Sequence, residues 1–258
     1  MEMALKAALY GLLAASALII GALTGLYARI GRRVLAVVMA FGSGVLISTL
    51  SFELVEKAYE TGGFDSTALG FVAGAMIFIL GDWAVNSRGG HARKDTLNKR
   101  HLARNPEQGQ GSGLAIFIGA LIDGIPESMA IGIGLLAGKG VSVAVVLAVL
   151  LSNLPEGISG AKSMTRAGWS GRAVVLMWSG VVAASSLSSL LGYLFLRSAS
   201  VDLLAFFLSL AAGGVLAMVS STMIPEAFDD EGRPTPVATP FATVIGFLLS
   251  FVVSAVKK

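Results

Sequence analysis

Two short phrases, Ile122-Asp123-Gly124-Ile125-Pro126-Glu127 and Leu151-Ser152-Asn153-Leu154-Pro155-Glu156, hold the residues of this chain best suited to chemistry. Each sets a Pro-Glu pair in the middle of a long apolar stretch. A charged side chain at the centre of a bilayer costs roughly 2.5–3.5 kcal/mol on insertion scales, so two near-identical copies call for compensation. Asp123 and Glu127 are related as i and i+4, as are Ser152 and Glu156, and Asn153 is i−3 to Glu156, so each set shares one helix face. Two such faces opposed would offer carboxylate, amide and hydroxyl oxygens, a donor set that suits a divalent cation. Clustered carboxylates in a low dielectric repel one another unless a cation or protons compensate them. Each proline also removes one helix hydrogen bond and crowds the carbonyl four residues earlier, which is expected to free the carbonyls of Ile122 and Leu151 beside these side chains. Unpaired backbone of that kind is tolerated at membrane depth only against protein or a water-filled cavity. Protonated Glu127 and Glu156 bonding across helices would be a plainer use of the same residues, but it gives the prolines no role.

The elements that must carry these phrases are membrane helices. The chain is 258 residues long, 55% hydrophobic and only 14% charged, with a mean hydropathy of +0.78, too apolar for a water-soluble domain. A spanning helix needs about 20 mostly apolar residues. Eight segments qualify, roughly 4–28, 34–55, 68–86, 113–137, 141–164, 173–196, 203–225 and 238–256. The expected fold is therefore an all-α membrane protein of eight transmembrane helices in one domain, 1–258. The first apolar stretch is longer than the core of a cleavable signal peptide. With no cysteine, disulfides and thiolate ligands are both excluded. The basic isoelectric point, near 9.3, comes from loop residues and needs no nucleic-acid partner. Arg29, Arg32 and Arg33, the Arg88–Arg104 group, Lys162, Arg166, Arg172 and Arg233 all follow odd-numbered spans. The other side holds only Lys6, Lys57, Lys139, Arg197, Lys257 and Lys258. The positive-inside rule then puts both termini outside and the loop 88–112 in the cytoplasm.

The chain also repeats itself. Gly44-Val45-Leu46 in span 2 is followed by Glu53, Glu56 and Ala58, and Gly214-Val215-Leu216 in span 7 by Met223, Glu226 and Phe228 at the same offsets. Spans 2 and 7 cross the membrane in opposite directions. This suggests an inverted repeat of helices 1–3 and 6–8 around Pro-interrupted helices 4 and 5, an arrangement typical of transporters whose substrate site lies near the midplane.

At these residues the chain resembles the ZIP (Zrt/Irt-like) family of divalent metal transporters. The matching stretches are Asp123-Gly124-Ile125-Pro126-Glu127-Ser128, Ser152-Asn153-Leu154-Pro155-Glu156-Gly157, Met223-Ile224-Pro225-Glu226-Ala227 at the end of span 7, and Phe52-Glu53-Leu54-Val55-Glu56-Lys57-Ala58 in span 2. The resemblance implies eight spans with both termini outside, a long cytoplasmic loop between spans 3 and 4, and a metal site built on spans 4 and 5. It assigns Glu127, Asn153 and Glu156 as metal ligands directly, Asp123 by position, and Ser152 more weakly. Asp123 and Ser152 stand where the family usually has histidine, and Gly124 where it has asparagine. Span 6 has only serines, Ser179, Ser185, Ser186, Ser188 and Ser189, where some members supply a glutamate, and Ser221-Thr222 replaces an acidic pair in span 7. Both histidines, His91 and His101, fall in the cytoplasmic loop. An all-oxygen membrane site leans toward Mn²⁺, Fe²⁺ or Mg²⁺, whereas the family resemblance favours zinc, which is kept first.

The expected activity is accordingly uptake of divalent metal ions, Zn²⁺ or else Mn²⁺ or Fe²⁺, as transported substrate rather than prosthetic group. The competing readings are a carrier of another substrate with the carboxylates as a proton relay, and an intramembrane hydrolase, which the spans give no histidine base. The protein is not expected to be an enzyme. Its partners on this reading are a divalent metal ion and the lipid bilayer of a plasma or inner membrane, with a homodimer as a candidate assembly and no nucleic acid. The loop 88–112 reads as a solvated linker and Asp229-Asp230-Glu231 as a polar turn before Pro234 and Pro236.

Overall fold

A computed structural model of the chain describes residues 2–85, 107–136, 143–228 and 237–256, with backbone alone for Arg32 and residues 107–115. The described residues contain helices and no strand. In order they are α1 (Glu2–Tyr27), α2 (Arg32–Thr49), a π-helical segment π1 (Leu50–Val55), α3 (Glu56–Val85), α4 (Glu107–Gly134), α5 (Val143–Arg166), α6 (Gly171–Leu196), α7 (Val201–Met218), a second π-helical segment π2 (Val219–Met223), the short α8 (Ile224–Phe228) and α9 (Ala238–Ala255). Helices are the expected solution, because each satisfies its own backbone where water is scarce. Seven helical stretches among the described residues are long and apolar enough to cross a membrane. They face outward with bare apolar residues, such as Leu9 and Leu13 on α1, Ile77 and Trp83 on α3, and Leu248 and Leu249 on α9. This surface suits lipid and would be a liability in water.

One of those stretches, Arg33–Val85, is 53 residues long. At 1.5 Å per residue a straight helix of that length would run about 80 Å, against a hydrocarbon core of about 30 Å. Gly63 breaks it, with φ 73° and ψ −169°, a backbone region open essentially only to glycine. The other positive-φ glycine among the described residues, Gly168 (φ 88°), closes α5. There Trp169 N–H donates to the Met164 carbonyl and Gly168 N–H to that of Thr165, the two bonds of a Schellman cap. Ser170 and Ser200 cap α6 and α7, accepting from the N–H groups of Ala173 and Leu203 at 3.3 Å.

Pro126 and Pro155 lie inside α4 and α5, which run on as helices through them. The expected interruption of these two helices is thus a local loss of hydrogen bonding rather than a break. The irregular turns fall elsewhere, in π1 and π2. Pro225 lies two residues past the end of π2, and its ring crowds the carbonyl of Ser221 within it, so a widened turn relieves the clash. Helix α4 also begins earlier than expected, at Glu107, a residue type the helix dipole favours at an N-terminus. Of the loop 88–112, residues 88–106 lie outside the described residues, with His91 and His101. So do Lys139, Asp229-Asp230-Glu231, Pro234, Pro236 and Lys257-Lys258.

The helices pack in pairs. α3 lies along α7, α2 along α9, α1 along α5 and α6, and α4 along α6, while α2 also meets α5 and α4 meets α7. Small residues set these approaches. A Cβ at Gly44 would run into the Thr243 carbonyl, at Gly213 into that of Phe71, and at Gly157 into that of Leu18. Serine and threonine hydroxyls stitch the same interfaces. Ser186 and Ser189 of α6 donate to the carbonyls of Ala8 and Ala7 at 2.9 and 2.8 Å, and Ser188 donates to that of Ile125 at 2.9 Å. Thr49 and Ser250 pair at 2.9 Å between α2 and α9. Among the described residues three apolar clusters fill the remainder, the smallest formed by Met39, Ala40, Ala227 and Ala242. Of the larger two, one centres on Ile131, Leu208 and Val219, the other on Leu18, Met164, Val174 and Trp178.

A candidate cation cavity

Asp123 and Glu156, from α4 and α5, line one cavity of about 50 Å³ inside the bundle. Asp123 is 4% exposed and Glu156 half-buried. A third carboxylate, Glu226 of α8, lines the same cavity, with the hydroxyl-bearing Ser159, Ser163 and Thr222. A single water needs roughly 10–15 Å³ by this measure, so the space suits a cation with a few waters. Ser159 Oγ donates to Glu226 Oε1, tying α5 to α8 across the cavity. The three carboxylates surround the space without converging. Among the described residues no three Asp, Glu or His side chains gather closely enough to hold an ion between them alone.

The other three residues singled out from the sequence lie differently. Glu127 is 3% exposed and lines a separate void of about 10 Å³ with Leu46, Thr49, Leu54 and Val149. Its Oε1 has no hydrogen-bond partner among the described residues. The i, i+4 relation between Asp123 and Glu127 puts them on one broad face, but a turn of helix separates them along the axis, and each meets a different space. Asn153 Nδ2 donates to the Ala14 carbonyl at 3.2 Å, joining α5 to α1. Ser152 Oγ donates to the Val149 carbonyl of its own helix at 3.0 Å. At position 124 a Cβ would meet Ser185 Oγ at 3.2 Å, so a longer side chain would compete with that α6 serine for room.

Glu226 is the residue the pattern of paired phrases left out of the site. The signal was available: Pro225-Glu226 is a third Pro-Glu pair inside an apolar stretch. Three methionines also line the cavity, Met39 from α2, Met218 from α7 and Met223 from π2, so its wall carries sulfur as well as oxygen. Trp178 of α6 closes one side; its ring sits where a Cβ at Gly160 would need to go. A larger cavity of about 410 Å³ shares Ser159 and Ser163 with this one and is bordered by Arg29, Lys162 and Arg166. The inner space therefore adjoins the ends of α1 and α5 where basic residues collect. Compared with known proteins, the chain matches no family model and no curated protein.

Proposed function

We propose that this protein is an eight-span permease that carries divalent metal cations, zinc first, toward the cytoplasm. The observation that supports this most is the shared cavity of Asp123, Glu156 and Glu226, three carboxylates from three helical elements around one space of about 50 Å³ inside an apolar bundle. Buried acids in membrane segments are expensive and mark ion pathways. Their failure to converge suits a carrier, since a site that must release its ion cannot bind it as tightly as a structural one. One or two carboxylates with hydroxyls and water would hold the ion in transit. Glu127, Asn153 and Ser152 would act from outside the cavity, as supports or in another conformation of the cycle.

The break at Gly63 supports the eighth span, since it would let residues 33–85 cross twice. Support for the inverted repeat comes from packing. If α1, α2, α3 and α4 correspond to α6, α7, α9 and α5, the pair α2–α9 becomes α7–α3, α1–α5 becomes α6–α4, and α2–α5 becomes α7–α4, and each of these pairs is in contact. The close approaches follow the same rule. Gly44 meets Thr243 as Gly213 meets Phe71, and Gly246 meets Phe41 as Gly74 meets Leu210, a register that pairs Gly44 with Gly213 and so lies one residue from the sequence match of Gly44 with Gly214. A π-helical segment follows α2 and another follows α7. The direction of transport rests on the adjoining basic cavity, on the side that the positive-inside rule assigns to the cytoplasm.

The test is uptake of radioactive Zn²⁺, Mn²⁺ and Fe²⁺ into proteoliposomes by the wild type and by Asp123→Asn, Glu156→Gln and Glu226→Gln. Wild-type uptake that the variants lose is expected. A wild type that moves none of the three ions, or three variants that all transport normally, would overturn the reading.

A further inference from the structure

The cavity wall is richer in sulfur than a transporter of hard cations requires. Met39, Met218 and Met223 reach it from α2, α7 and π2, and are 3%, 3% and 7% exposed. A thioether is a soft metal ligand and only a weak hydrogen-bond acceptor. It therefore does little for a carboxylate or a water, and much for a polarizable cation. The carboxylates leave coordination to be completed, because no three of them close on one ion. Trp178, 2% exposed, closes one side of the same cavity with its ring. Methionine also serves as a flexible gap-filler in ordinary cores. All three also pack within apolar clusters; what sets them apart is that they meet, from α2, α7 and π2, at a cavity that also gathers three acids.

We infer that Met39, Met218 and Met223 supply thioether ligands to the ion, and that the cavity takes soft or borderline cations, Cd²⁺ and Zn²⁺, in preference to the hard Mn²⁺ and Mg²⁺. The inference rests on the cavity being the transport site proposed above. Selection would follow from the ligand set: carboxylates attract any divalent ion, and sulfur ranks them.

The chain contains no cysteine, so any sulfur bound to metal must be methionine sulfur, and this makes the decisive measurement direct. X-ray absorption at the cadmium edge, on the full-length purified protein loaded with one equivalent of Cd²⁺, should show a Cd–S shell. The shell should be absent from the Met39→Leu/Met218→Leu/Met223→Leu variant, a nearly volume-conserving change. An oxygen-only shell in the wild type, or a sulfur shell that survives in the variant, overturns the inference without recourse to activity. In proteoliposomes offered Cd²⁺ and Mn²⁺ together, the variant's Cd:Mn uptake ratio should fall by at least about tenfold, the lower end of what losing a ligand's supporting partner already costs. An unchanged ratio refutes the role of sulfur while leaving the permease standing. A wild type that moves neither ion refutes the permease, and the absorption spectrum still reads the ligands.

Discussion

Ser159 on α5 donates its hydroxyl hydrogen to Glu226 on α8, one helical turn beyond the Glu156 that faces the same cavity. The bond couples the Pro155 segment to the irregular end of the apolar stretch Val201–Phe228, between π2 and Pro225. It also holds one oxygen of Glu226 at the cavity wall. Because Ser159 and Ser163 wall both the inner cavity and the larger basic one, this pair stands at the boundary between them.

Separating the two partners is therefore informative. Ser159→Ala should lower thermal stability by about 1 kcal/mol, the net worth of one ordinary hydrogen bond, and raise the KM for Zn²⁺ while leaving transport measurable. Glu226→Gln keeps an acceptor for Ser159 but removes the charge, so uptake should collapse with little change in melting temperature. Proteoliposome uptake and thermal unfolding in detergent, measured on the same preparations, check both. A Glu226→Gln protein that transports like wild type would remove Glu226 from the pathway.

Asp123 and Asn153 were expected to act together, and the structure separates what their loss should do. Asn153→Ala removes the amide that bridges to the Ala14 carbonyl, so it should cost about 1 kcal/mol of stability in the metal-free protein. Asp123→Asn should leave the metal-free melt near wild type and reduce uptake. Asp123→His places an imidazole at the cavity and should shift competitive uptake from Mn²⁺ toward Zn²⁺. The reverse pattern, with Asp123→Asn destabilising and Asn153→Ala silencing transport in a stable protein, would restore Asn153 to the ion.

Close helix approach supplies a third expectation. A methyl at Gly44 would strike the Thr243 carbonyl, and one at Gly213 that of Phe71. Gly44→Ala and Gly213→Ala should each cost about 1–3 kcal/mol, as overpacking generally does. The comparison is Gly134→Ala, whose new methyl meets nothing within 4 Å. Equal melting temperatures for the three variants would show that these interfaces yield to a methyl group without cost.

Composition and apolar run length made the helices legible, because a chain this apolar has few alternatives to spanning segments. The paired Pro-Glu phrases led to Asp123 and Glu156 in one cavity. Periodicity could not tell that Glu127, on the same broad face as Asp123, would meet a different void, since which neighbour a turn of helix meets depends on tertiary packing. Nothing in residue type announced π1: Leu50–Val55 lacks the following proline that accounts for π2. Sulfur was missed for a chemical reason. Searching the spans for histidine and cysteine left only oxygen, whereas the methionines there had the look of ordinary core residues until three of them met at one wall.

Topology gives the last expectation, and the cysteine-free sequence makes it simple to read. The break at Gly63 separates two halves of a 53-residue helical stretch. If both halves cross the membrane, Asp65 lies on the same side as the α6–α7 connection, opposite the α1–α2 and α5–α6 connections. Asp65, Ser198, Arg29 and Arg166 are all exposed, so single cysteines there should tolerate substitution and react with a maleimide. In intact cells a membrane-impermeant maleimide should label Asp65→Cys and Ser198→Cys, and should reach Arg29→Cys and Arg166→Cys only after the membrane is opened. Labelling of all four in intact cells would mean that the chain is not inserted as described. Labelling of Arg29→Cys and Arg166→Cys alone would keep eight crossings and invert the protein, and with it the direction of transport. Protection of Asp65→Cys together with labelling of Ser198→Cys would mean that residues 33–85 do not cross twice, and the inverted repeat would fall with them.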